Sequence, residues 1–81
     1  MRYFYSTYVA HAMRFYLKYP DVEEFRSEAD KINHNLARTL INSLPESERE
    51  EVTGYYLDGV AEDWNMIRQF EREWAKKRGL I

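Results

Sequence analysis

Eighty-one residues make one small domain, with a composition that is 44% hydrophobic and includes seven tyrosines. The chain has no cysteine, which excludes disulfides and thiolate metal sites, and no apolar run approaches the roughly 18 residues of a membrane span. A formal net charge of −2 argues against the broad basic footprint of a strong nucleic-acid binder.

The first helix is predicted over residues 4–19. Tyr5, Tyr8, Val9, Ala12, Met13 and Tyr16 follow the i, i+3, i+4, i+7 spacing that puts them on one face. Ser6 and Thr7 are candidate caps, with a start near Tyr3 as the alternative, and Pro20 is the stop. Phe4, His11, Phe15 and Leu17 fall off the main face, so this helix is expected to be buried on two sides or to meet another molecule.

Asp21 with Glu24, and Ser27 with Asp30, both have capping-box spacing. Ser27 is the favoured start, giving a second helix over 27–43 with a buried line of Phe25, Ala29, Ile32, Leu36, Leu40 and Leu44. Pro45 suits the first position of a third helix over 46–57. Its opening turns hold Glu46, Glu48, Glu50 and Glu51, where the helix dipole favours negative charge. Val52, Tyr55 and Tyr56 form its apolar side, Gly54 weakens it, and Asp58-Gly59 ends it.

A fourth helix is predicted over 60–78. Val60, Trp64, Ile67, Phe70 and Trp74 trace its inward line, with Glu71 at the edge. Gly79 sits where a left-handed terminator belongs, Leu80 is placed to clasp back on Trp74 or Ala75, and Lys76, Lys77 and Arg78 complement the dipole. The expected architecture is one all-α domain over 1–81, a bundle of about four helices packed around Tyr8, Phe15, Phe25, Leu36, Leu40, Trp64, Ile67, Phe70 and Trp74.

Charge is segregated along this frame. Residues 1–20 carry three bases and no acid, residues 21–63 twelve acids and four bases, and residues 64–81 five bases and two acids. Either the basic ends attract the acidic middle, or they lie together as a patch.

Motifs for catalysis are missing. The three glycines share no phosphate-loop pattern, and no Ser-His-acid signature stands out. His11 and His34 are the only histidines. Asp30 and His34 have the four-residue spacing of a ligand pair, but a surface hydrogen bond or helix ion pair is the expected role, and zinc would need two further ligands. Glu62 and Asp63 are adjacent and do not face each other. The expectation is a protein that is not an enzyme, with no metal, no cofactor and no small-molecule substrate. The absence of a signal pattern at the N-terminus and of a membrane span makes it a cytoplasmic one.

Surface is what remains. Asn65, Arg68, Gln69, Arg72 and Lys76 form one polar stripe on the fourth helix. Arginine, asparagine and glutamine read base edges and lysine suits phosphate, so the stripe is a candidate DNA-binding face. Every amphipathic helix also shows such a face to water, and Glu62 and Glu73 border this one. Candidate protein-binding residues are Glu46, Glu48, Glu50 and Glu51 of the acidic helix start, and Tyr5, His11 and Phe15 of the aromatic first helix.

HAMRFYLKYP near the start and IRQFEREWAKKRGLI at the end resemble short proteins of phages and mobile elements of Gram-positive bacteria, which are similar to the final helix-turn-helix region of bacterial sigma factors. LPESEREEVTGYYLDGV also looks like the first half of that region, with its Leu-Pro-x-x-x-Arg entry and Asp-Gly turn. The resemblance implies a small phage-type regulator that binds DNA. The pattern is shortened here: Val60 leads almost directly to Trp64, which leaves no room for a short helix and a separate recognition helix. Either the last helix reads DNA through Arg68, Gln69, Arg72 and Lys76, or the reader is lost and the chain binds a protein instead, as an inhibitor of a host or CRISPR-type defence nuclease. A homodimer paired through first helices is compatible with both.

Overall fold

The computed structural model describes residues 5–81; Phe4, the expected first residue of the opening helix, and Tyr3 lie outside the described residues. Within them the chain is all-α, with α1 (Tyr5–Lys18), α2 (Glu28–Asn42), α3 (Glu46–Asp58) and α4 (Trp64–Arg78). Every helix packs against each of the others, so one core serves all four. Val9, Met13, Val52, Tyr56, Ile67 and Trp74 are almost wholly buried in it. No helix among the described residues is long and apolar enough to cross a membrane.

The helix ends follow local chemistry. Ser27 caps α2 by accepting the Asp30 N–H at 3.1 Å, which selects it over Asp21. Pro45 stands just before α3 rather than at its first helical position, and its carbonyl accepts the Arg49 N–H at 2.9 Å. α3 closes on Gly59 at φ 75, with the Gly59 N–H on the Tyr55 carbonyl. α4 closes on Gly79 at φ 80, where Gly79 N–H meets the Lys76 carbonyl at 3.1 Å and Leu80 N–H the Ala75 carbonyl at 2.8 Å. That bond pair is a Schellman motif, and Leu80 packs on the core as the pattern predicts.

Four expectations are corrected. Ser6 and Thr7 do not cap α1; both lie inside it, and Ser6 instead donates to Glu71. α4 begins at Trp64 rather than Val60, because Asp63 caps it by accepting the Met66 N–H at 3.1 Å, while Val60 is 64% exposed in the connection.

The buried face of α2 is the third correction. It consists of His34, Ala37, Leu40 and Ile41, with Ile32 and Ala29 outside, a rotation of about 100° or one residue from the apolar line. Polar partners explain the turn. Asn33 donates to the Tyr8 hydroxyl at 2.9 Å and accepts from Arg78 Nε at 2.7 Å, and His34 meets the Tyr19 carbonyl at 2.9 Å. Those bonds offset part of the cost of burying polar groups that apolar counting assigns to solvent, although His34 Nδ1 stays without a partner.

The core membership is the fourth. Phe15 and Trp64 stay 38% and 48% exposed, and Phe25, Leu36 and Tyr8 are half-buried. Trp64 stands at the first position of α4 with its ring edge-on to Tyr55, where only one side can be covered.

Candidate nucleic-acid interface

α4 is presented as a fixed rod. At its head, Asp63 supplies the cap, and the Glu51 carboxylate of α3 accepts the backbone N–H groups of Glu62 and Asp63, the latter at 2.8 Å. The connection from α3 is thus tied to α3 itself. At its foot stands the glycine terminator. Between them Ile67, Phe70, Glu71, Trp74 and Ala75 are buried.

The opposite face is the stripe. Asn65, Arg68, Gln69, Arg72 and Lys76 are all exposed, and no ion pair engages the three cations among the described residues. The remaining bases of the last turn go elsewhere. Lys77 lies 3.8 Å from Glu73, and Arg78 turns to Asn33. Arg14 of α1 is likewise committed, its Nε donating to the Tyr56 carbonyl at 3.2 Å. Neither Arg14 nor Arg78 therefore adds to the stripe.

The acidic residues split as well. Glu48 lines a shallow groove with Gln69, Arg72, Glu73 and Lys76, so the acidic start of α3 and the polar stripe of α4 adjoin rather than forming separate surfaces. Glu46 and Glu50 are exposed, whereas Glu51 is consumed by the α3–α4 connection. On α1, Tyr5 is half-buried against the core, and His11 and Phe15 line a second, larger groove shared with α2.

One buried polar centre, His34, escaped the sequence reading; a second, Glu71, was expected at the edge of the inward line of the fourth helix and is buried in it. His34 is 1% exposed, ringed by Phe15, Tyr16 and Phe25 at centroid distances of 5.6, 5.1 and 5.1 Å. It is not the surface partner of Asp30 that their spacing suggests, and no local signal marks it, since every group it meets lies on α1 or in the 19–25 connection. Glu71 is buried against Tyr56, whose hydroxyl donates to it at 3.0 Å, with the Ser6 hydroxyl at 3.3 Å. Its place between Ile67 and Trp74 was the available signal. Burial pushes the Glu71 carboxyl above its ordinary value, and the two hydrogen bonds pull back against that shift. Burial and the neighbouring carboxylate also push the Tyr56 phenol far up, so it stays a donor. Among the described residues no group of three or more His, Asp or Glu could hold a metal ion.

No family model, curated protein or solved structure matches the chain.

The stripe's capacity follows from its side chains. An arginine fork fits two acceptors of a guanine edge, an asparagine or glutamine amide fits the donor–acceptor pair of adenine, and a lysine is a point charge for phosphate. All stand on one rigid helix, which is the precision that groove recognition needs.

Proposed function

We propose that the chain is a small, non-catalytic regulator of phage type that binds duplex DNA through the exposed face of α4. The observation that carries the reading is the exposure of Asn65, Arg68, Gln69, Arg72 and Lys76 on a helix fixed at both ends. The α3–turn–α4 arrangement supports it, because in helix-turn-helix proteins the second helix enters the major groove with its first turns at the base edges. Here that helix follows α3 after the short 59–63 connection, which favours α4 as the reader over loss of the reader.

Three free cations set the scale. If Arg68, Arg72 and Lys76 each neutralise one phosphate, log K falls against log salt with a slope of about −3. The test is fluorescence anisotropy of a labelled mixed-sequence duplex over a salt series, with wild type and Arg68→Glu, Arg72→Glu. Wild-type binding with that slope, abolished in a folded double variant, is the expected result. Undiminished affinity in the double variant, or no wild-type binding at low salt, overturns the assignment.

A further inference from the structure

A groove of about 800 Å³ runs between α1, the 19–27 connection and the start of α2. That is the size of a ligand pocket, on a chain of only 9.9 kDa. Its walls are Tyr8, Ala12, Phe15, Tyr19 and Phe25, and His34 lines it from below. The rim is apolar and open: Phe15 and Tyr19 are 38% and 58% exposed, with ring centroids 5.7 Å apart and planes tilted by 49°. Large aromatics left uncovered at a concave site mark interaction surfaces rather than core.

Two independent features describe the occupant. The first is charge. The segment 21–30 that forms one lip carries Asp21, Glu23, Glu24, Glu28 and Asp30 against Arg26 alone, and none of these carboxylates is ion-paired among the described residues. Glu24 and Asp30 line the groove itself, with Arg26 between them. The second is the aromatic floor that Phe15 and Phe25 build around His34. His34 Nε2 lies 2.9 Å from the Tyr19 carbonyl, which can only accept, so Nε2 carries the proton. Nδ1 is buried and without a partner among the described residues. That atom has no exposed surface, so an occupant meets the aromatic walls and the acidic lip rather than the imidazole nitrogens.

We infer that the groove is a docking site for a basic amphipathic helix of another protein. The helix lays its apolar face between Phe15, Tyr19 and Phe25, and its lysines or arginines face the acidic lip, the groove mode of helical peptide recognition. The site is separate from the α4 stripe and does not depend on DNA binding.

The probe is a fluorescein-labelled synthetic helix of about 16 residues, built from lysine, leucine and alanine with one central tryptophan. Anisotropy should give saturable binding that weakens at least tenfold in Phe15→Ala and in Tyr19→Ala, and severalfold in Glu24→Lys. Two substitutions are used because Phe15 also touches His34 and Phe25, whereas Tyr19 holds His34 only through its backbone. Arg68→Glu with Arg72→Glu should bind the probe as wild type does. Absence of binding at millimolar probe overturns the inference. So does equal binding of a probe with glutamate for lysine or serine for leucine, unchanged affinity in both aromatic variants, or loss of binding in the α4 variant.

Discussion

Glu71 is a carboxylate inside a helical bundle with hydroxyls for partners and no cation, and that makes its energetics testable. Glu71→Gln keeps the shape and an acceptor for the Tyr56 hydroxyl while removing the charge. An ionised carboxylate gains ~1.5–3 kcal/mol from a hydrogen bond, against ~0.5–1.5 for a neutral acceptor, so two bonds forfeit about 2 kcal/mol on neutralisation. Taking the ion out of water costs several kcal/mol even after relaxation. The direction of the carboxyl's shift decides between them: it lies above its ordinary value of 4.5, so desolvation outweighs the bonds. A raised folded-state value means the native state binds the proton more tightly. Stability is then greatest below the unfolded value and declines as pH rises through the folded one.

The glutamine variant should therefore exceed wild type by about 1 kcal/mol near pH ~8, and the gap should close near pH ~3.5. Urea unfolding at both pH values reads this directly. Tyr56→Phe should cost about 1.5–3 kcal/mol in wild type and less in the glutamine background, since the lost bond is charge-assisted only in the former. A glutamine variant less stable at high pH, or a difference that ignores pH, would refute the reasoning.

The interior of α3 offers a gain. A Cβ added at Gly54 meets nothing closer than the Val60 carbonyl at 3.8 Å, so Gly54→Ala should raise stability by about 0.5–1 kcal/mol and the thermal midpoint by several degrees. A lower midpoint would mean that the helix interior does not accept the methyl group. Glu51→Ala strips the acceptor from two backbone N–H groups and should cost about 1–3 kcal/mol. Amide exchange at Glu62 and Asp63 should quicken with it, and unchanged exchange there would count against the tie.

Helix count, order and most ends were legible because the signals are local. Ser27 before Asp30, Asp58-Gly59 and the Gly79-Leu80 pair each act within one turn, and each sits where its chemistry demands. The start of α4 was misread because Val60 continues the apolar line of Trp64 and Ile67 backwards, while the stronger signal was Asp63 with its cap reach to Met66. The rotation of α2 was not legible. Asn33 and His34 are buried by Tyr8, Arg78 and the Tyr19 carbonyl, partners 15 to 45 residues away that no local window contains. The stripe on α4 was fully legible as a surface, since exposure of a polar helix face follows from periodicity. Its neighbour Glu48 was not, because that contact depends on how α3 crosses α4.

The carboxylates at the head of α4 have a consequence for how any polyanion would sit. Helix N-termini commonly seat phosphates on their free N–H groups. In this chain Glu51 and Asp63 already occupy the N–H groups of Glu62, Asp63 and Met66, so that seat is filled by the protein's own anions. If DNA is bound as proposed, its backbone would find more negative charge at the head of α4 than beside Arg72 and Lys76 nearer the foot.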